Sequence, residues 1–422
     1  MAQYVTPMRT TPFHPRTSQL CTSFAWKEWA GYAAVCHYTP HSEAEVFAIR
    51  STAGLLDVTP LYKYDVRGPD AGEFLSRIWT RDISAIGVGR VVYSAMCDEN
   101  GWMLDDGTVA RLGPDHYRCT SSEPWLGWFI RHSRGFDVEF EETTEKLCGL
   151  SLQGPRARAI LKGITEFDMD RMRFFRVRKT VVCGVPAWVS RTGYTGDLGY
   201  EIFCDNEHAL ALYDGIMAAG APHGLIPMGL DALDVARIEA GFVLQGIDYV
   251  CAHQCIIDEL KSTPDDAGLG WTVDLDRAPF IGQAAIQAER KRGSTWDLVG
   301  LEIDWEALEG LYQESGVPPH LAPEACRASV PVYDEEGNQV GQATSTTWSP
   351  TTKRYLALAQ VRRPHHLIGT ELRIEHTPKF ERQTLPVTVV QRPFFDPERK
   401  RSTPGGAKLD SAATAAPVEA PS

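Results

Sequence analysis

The sequence predicts an α+β fold of mixed antiparallel sheets with helices laid on them, followed by a C-terminal all-β barrel domain. Three observations carry this. Two strand-like segments each run into a Gly-Pro pair and then into an amphipathic helix, at Gly68-Pro69 and at Gly154-Pro155. The strands that follow are joined by Asp, Asn and Gly turns and do not alternate with helices, so the pattern is not that of a parallel sheet. From about Leu298 the helical signal thins, and short strands recur between turn residues.

Near the N-terminus, the aromatic stretch Phe24-Ala-Trp26-Lys-Glu-Trp29-Ala-Gly-Tyr32 reads as core. The segment from Gly54 to Arg67 alternates apolar and polar residues as one strand, turns at Gly68-Pro69, and leads to a helix at Ala71-Gly-Glu-Phe-Leu-Ser-Arg-Ile. Arg90 to Met96, Gly107 to Arg111 and His116 to Ser121 read as short strands, with a helix around Pro124 to Ser133. The strand–Gly-Pro–helix order then returns at Leu147, which marks an internal pseudo-repeat. Thr180 to Arg191 reads as a hairpin turning at Cys183-Gly184, followed by a strand at Glu201-Ile-Phe-Cys and a helix from Asn206 to Ala219. Six strands close the pattern: Leu298–Ile303, Pro331–Tyr333, Gln339–Ser345, Arg354–Val361, Glu371–Ile374 and Gln383–Val390. The expected organisation is an α+β region over 1–290, a β-barrel domain over 291–397, and a tail over 398–422 whose Ala, Pro and Ser content predicts disorder.

At 422 residues with 42 basic and 55 acidic side chains, the formal charge is −13, which argues against a general binder of nucleic acid or anionic membrane. A local basic pocket can still hide in an acidic protein. The first thirty residues lack a signal-type apolar run and no later segment is long enough to span a bilayer, so a cytoplasmic protein is expected. The 10 cysteines are scattered through apolar surroundings and read as reduced thiols. Cys251-Ala-His253-Gln-Cys255 supplies too few ligands for a closed zinc site and has no second pair, so no metal is expected.

Three segments carry chemistry. Tyr93 to Gly107 is an apolar strand, a polar turn and a second apolar run ending in Asp105-Asp106. Arg191-Thr-Gly-Tyr194-Thr-Gly-Asp197-Leu-Gly-Tyr200-Glu201 packs glycines, rings and carboxylates into one tight loop. Gly229 to Gly241 is helical and places Arg237 one turn after Leu233 and Asp234. Read alone, paired aspartates before a glycine form a solvated turn, and Arg237 could be a helix ion-pair residue.

In this order the three segments resemble the glycine-cleavage T-protein (aminomethyltransferase) family, which includes folate-dependent demethylases. Leu269-Gly-Trp-Thr-Val, Phe280-Ile-Gly-Gln and Ser349-Pro-Thr add later matches, so the resemblance runs from about Ser18 to Phe395. It implies a one-carbon transferase with tetrahydrofolate as acceptor. By the same resemblance Glu201 holds the pterin, Tyr93 and Tyr194 surround it, Arg237 contacts the folate, and Asp105 is the catalytic acid, with Asp106 left to the turn. A carboxylate suits the paired N–H donors of a pterin, and an anion near the reacting nitrogens stabilises developing positive charge. Asp106, Tyr62, Tyr32 and His37 are candidates for protonating a leaving group.

The sequence departs from the family pattern on the donor side. In place of the usual Phe-x-Gly-Trp-x-Met-Pro, Ser-His-Met and Gly-Ala-Arg-Asp pieces stand Trp29-Ala-Gly-Tyr-Ala-Ala-Val-Cys-His-Tyr, Thr59-Pro60-Leu61 and Asp231-Ala-Leu233-Asp. The resemblance therefore favours a small methylated donor (amine, ether or sulfonium), with an aminomethyl group from a lipoyl carrier protein as the alternative and a non-catalytic folate-binding protein as a third reading.

Overall fold

The structure is a computed structural model, and it describes residues 8–322 and 324–404. The pseudo-repeat is real in three dimensions. The first copy runs from strand Tyr62–Arg67 through Gly68-Pro69 and helix Ala71–Ile78 to strands Val91–Cys97, Met103–Gly113 and His116–Ser121, then helix Leu126–His132. The second runs from strand Leu147–Gln153 through Gly154-Pro155 and helix Ala157–Lys162 to strands Val177–Val182, Val185–Ser190 and Gly199–Asp205, then helix Ala209–Gly220. In both sheets the opening strand lies beside the last of the three that follow it, giving the same antiparallel order.

The two Gly-Pro corners share one backbone geometry, with φ of +129° at Gly68 and +130° at Gly154. A Cβ at Gly68 would sit 2.2 Å from the Asp137 carbonyl oxygen, and one at Gly154 would sit 2.6 Å from that of Thr52. Only glycine fits such a corner. The sheets meet edge to edge where the Val91 amide donates to Phe175 and the Val177 amide to Gly89, each at 3.0 Å, with Arg90 and Arg176 paired between them.

The C-terminal unit is a closed six-stranded barrel built from Trp296–Ile303, Val330–Tyr333, Gln339–Ser349, Arg354–Arg362, Glu371–His376 and Gln383–Val390. Val299, Leu301, Val332, Ala359, Leu385 and Val389 fill it. The helix Trp305–Glu314 between the first two strands was not anticipated. It opens on Asp304, whose carboxylate caps the Ala307 amide.

Three expectations need correction. The alternating segment from Gly54 to Arg67 is two strands, Ala53–Asp57 and Tyr62–Arg67, which belong to different sheets and are separated at Thr59-Pro60-Leu61. Periodicity continued across the break because both strands are buried. The aromatic stretch at Phe24 is core only in part: it is a hairpin, Ala25–Trp29 against Tyr32–His37, that buries Tyr32 but leaves Trp26 and Trp29 half-buried and Phe24 exposed. The start of the expected disordered tail is ordered: residues 398–404 pack against the glycine loop, while 405–422 lie outside the described residues.

Candidate active site

The helix Leu230–Glu239 supplies the deepest part of the site. Arg237 is 1% exposed. Its guanidinium donates to Asp234 (2.7 Å), Asp248 (2.5 Å), the Phe242 carbonyl (3.3 Å) and the barrel hydroxyl of Ser345 (2.8 Å). Asp248 is closed in turn by the Leu244 amide, Thr344 and Ser345. A buried guanidinium persists only when its charge is matched and its donors are satisfied. Arg237 thus braces the turn from Phe242 to Tyr249 against the barrel, with four of its five N–H groups given to the protein.

Successive strand residues point to opposite faces, and this separates the two aspartates. Asp106 shares its face with Tyr93: its carboxylate accepts a 2.7 Å bond from the Tyr93 hydroxyl and another from the Tyr249 hydroxyl. Burial raises its pKa, against the pull of the two tyrosines. Asp105 points the other way, under the helix at Leu126. Its carboxylate accepts from the Ser122 amide and hydroxyl, the Glu123 amide, the Trp125 indole and the Asp106 amide at 2.7–3.1 Å. Burial, with the charge of Asp106 added, pushes it up to about 7 against those donors. With its oxygens saturated and its side chain fully buried, Asp105 is a structural anchor. Of the two aspartates, it is Asp106 that faces Tyr93 and Tyr249.

The glycine loop is seated on one buried side chain. Gln153 accepts from the Thr195 hydroxyl (2.8 Å) and donates to Ser151 (2.9 Å) and to the Thr192 carbonyl (3.3 Å). A Cβ on Gly193 or Gly199 would fall 2.1 or 2.0 Å from its amide. Both glycines are therefore required for this seat. The loop carries Tyr194, whose ring stacks on Phe242 (centroids 5.6 Å apart) and whose hydroxyl donates to the Val243 carbonyl. The Tyr194 hydroxyl lies within electrostatic reach of Tyr93, Asp106 and Arg237. Four residues are thus brought together, and Glu201 stands on the strand leaving the loop. One Glu201 oxygen accepts from the Thr192 hydroxyl; the other has no partner among the described residues. Burial raises this carboxyl, opposed by Thr192.

Sequence reasoning missed Tyr249, Asp248 and Trp271. The first two lie in an aperiodic turn, where the only signal was an acid and an aromatic side by side. Trp271 is 52% exposed and stacks on Tyr93 at 5.9 Å, which makes it the outer wall of the site. The other proton-donor candidates stand apart. Tyr32 lies beneath Arg9, Tyr62 packs on the first sheet's core, and His37 Nδ1 meets Asp231 at 2.7 Å, with Lys27 on the second oxygen at 2.8 Å. None of the three bonds to the Tyr93–Asp106–Tyr249 set. The ligand atoms of Cys251, His253 and Cys255 do not converge; among the described residues only His37, Asp231 and Glu324 gather closely, around the Asp231 that Lys27 already occupies. Among these residues no helix is long and apolar enough to cross a membrane.

Residues 17–277 match the GCVT N-terminal domain and residues 318–396 the glycine cleavage T-protein C-terminal barrel domain. The chain belongs to the glycine-cleavage T-protein family. Like the family's aminomethyltransferases, it is an enzyme that transfers one-carbon groups. An aminomethyltransferase of Desulforamulus reducens is 33% identical over 359 residues, covering 84% of this chain and 90% of that protein. A trimethylamine-oxide aldolase of Ruegeria pomeroyi is 35% identical over 407 residues, covering 93% of this chain but only 48% of that protein, so the chain spans about half its length. The crystal structure of the glycine cleavage aminomethyltransferase T of Bartonella henselae shares the T-protein fold, with a TM-score of 0.77 at 24% identity over 92% of this chain and 99% of that one.

Proposed function

We propose that this T-protein moves a methyl or methylene group from a small methylated donor to tetrahydrofolate, with Glu201 holding the pterin and Asp106 facing the reacting atoms. The observation that carries the reading is the pair of half-buried carboxylates with opposite needs. Glu201 has an oxygen without a partner, fitted to accept an N–H pair. Asp106 is gripped on both oxygens by tyrosine hydroxyls beside Tyr194. When bound, tetrahydrofolate supplies the nucleophilic nitrogens that accept the carbon.

The chain's own residues do the rest. Tyr93 and Tyr194 offer ring faces to a flat heterocycle. Asp106, whose ionised form the two tyrosine hydroxyls favour against burial, stabilises positive charge as it develops and is preorganised to do so. Tyr93 and Tyr249 give that carboxylate a hydrogen-bonded path to exchange a proton with a leaving group. Arg237 acts through Asp248 to hold the Tyr249 turn.

The donor is proposed from the Lys27–Asp231–His37 group, which stands where the family's donor-side residues differ, and from the relative named for trimethylamine oxide. The aminomethyltransferase relatives favour a second reading, an aminomethyl group taken from a lipoyl carrier protein. Purified protein incubated with tetrahydrofolate and a panel of methylated amines, an amine oxide, sulfonium and methoxyaryl compounds, with mass-spectrometric detection of folate products, separates the two. Product with a small donor alone is expected. Methylene-folate formed only in the presence of a lipoyl carrier would overturn the donor assignment.

A further inference from the structure

Apart from the Tyr93–Asp106–Tyr249 set, three metal-ligating side chains meet where the N-terminal hairpin, the helix Leu230–Glu239 and the segment ahead of strand Val330–Tyr333 come together. His37, Asp231 and Glu324 each offer one ligand atom, and these atoms all lie within 4.8 Å of one another. Tetrahedral coordination by nitrogen and oxygen sets ligands roughly 3.4 Å apart, so small side-chain adjustments would close the set. Asp231 divides its oxygens: Oδ2 meets His37 Nδ1 at 2.7 Å, and Oδ1 accepts from the Lys27 ammonium at 2.8 Å. Glu324 forms no hydrogen bond or ion pair among the described residues. Two carboxylates thus stand beside one ammonium, and a negative charge is left over for a cation.

Each ligand is held from behind. Gly229 lets the helix start directly against the hairpin: a Cβ there would fall 2.2 Å from the Cys36 carbonyl oxygen and 2.8 Å from the His37 nitrogen. The buried Glu45 carboxylate ties the same two elements, accepting the Tyr38 and Gly229 amides at 2.7 Å each. His37 and Asp231 are set face to face by these contacts on either side of them. The segment carrying Glu324 is pinned just beyond it. Cys326 and Thr346 exchange backbone hydrogen bonds of 2.8 and 2.9 Å, and Arg327 reaches Asp234, one helical turn after Asp231, at 2.6 Å. Lys27, on the Asp231 oxygen away from His37, is the kind of partner that orients a ligating carboxylate.

We propose that His37, Asp231 and Glu324 bind a divalent transition-metal ion of the zinc class, which cross-links the hairpin, the helix and the segment entering the barrel. An imidazole among the ligands favours such an ion over magnesium or calcium, which prefer oxygen alone. The ion takes the place of the proton between His37 and Asp231, with the imidazole neutral at the ligating nitrogen. Three protein ligands leave a further position open to water.

Calorimetric titration of the full chain, first stripped with a chelator, with zinc and with magnesium tests the site. Zinc is expected to bind at one ion per chain with a Kd of about 1 μM or tighter, and magnesium about a hundredfold or more weaker. Glu324→Gln removes a ligand without a bonding partner in the fold, and Asp231→Asn removes a second; each is expected to weaken zinc about a hundredfold. Zinc should also raise the melting temperature of the wild-type chain but not that of Glu324→Gln. Zinc binding unchanged in Glu324→Gln would overturn the site, as would no zinc binding by the wild-type chain. Loss of zinc in Cys255→Ser instead would place the ion on the turn from Cys251 to Cys255, which also rejects the proposal.

Discussion

At the residue scale, the decisive distinction lies between two adjacent aspartates of the same chemistry. Sequence made the pair and part of its company legible: Tyr93 and Tyr194 lie within reach of Asp106 and Arg237 within reach of Tyr194, while Glu201 stands on the strand leaving the glycine loop. It did not give the phase of the strand, because a bulge after Met96 lies in the hydrogen-bonded turn preceding the pair. Asp106→Ala is expected to lower kcat by about a hundredfold or more, with tetrahydrofolate affinity little changed. Asp105→Ala leaves five donors facing an apolar methyl. It is expected to cost about 2–4 kcal/mol of stability, read as a lower midpoint in urea. The pH profile offers a further check. Burial raises Asp106 above the ordinary carboxylate range, so the ionised, active form is lost as pH falls through that raised value. Tyr249→Phe removes one donor that opposes the rise, so the acid limb of kcat should move to higher pH. A limb that stays in place would detach Tyr249 from Asp106.

At the element scale, the glycine loop is held by what lies beneath it. The sequence shows three glycines in a row of seven residues, but not that two of them make room for Gln153. Gly193→Ala drives a methyl into the Gln153 amide. It is expected to weaken folate binding at least tenfold, by displacing Thr192 and with it the bond that orients Glu201, while the melting temperature falls by only a few degrees. The first sheet carries a pH-dependent strut of its own. Burial alone would raise Asp65, but hydrogen bonds from His116 and Arg118 prevail and hold it at about 2 against an ordinary 3.8. A depressed carboxyl stabilises the fold above its unfolded value and loses that contribution as pH falls through the folded one. About 2 kcal/mol should therefore be present above pH ~4 and disappear towards pH ~2, and Asp65→Asn should flatten that part of the urea-midpoint profile.

At the scale of the whole molecule, distant parts of the chain converge on the helix Leu230–Glu239 and on the glycine loop. The barrel contributes Ser345 to Arg237, and Ser349 to Glu239, which also pairs with Arg50. The segment after the barrel returns so that Arg399 grips Asp197 through two 2.7 Å bonds, while Arg191 donates to the carbonyls of Arg399, Lys400 and Ser402. The pseudo-repeat and the barrel were readable from turn spacing. This return was not, because its composition resembles a loose tail and its partners lie some two hundred residues away. The barrel and its trailing segment thus brace the helix Leu230–Glu239 and the glycine loop, the acceptor side in the function proposed above. The central claim is that this architecture holds tetrahydrofolate through Glu201. Calorimetric titration of tetrahydrofolate into the wild-type chain and Glu201→Ala tests it most directly. The wild-type chain should bind and the variant should bind about a hundredfold more weakly. Equal binding by the two, or none by the wild-type chain, would contradict the account.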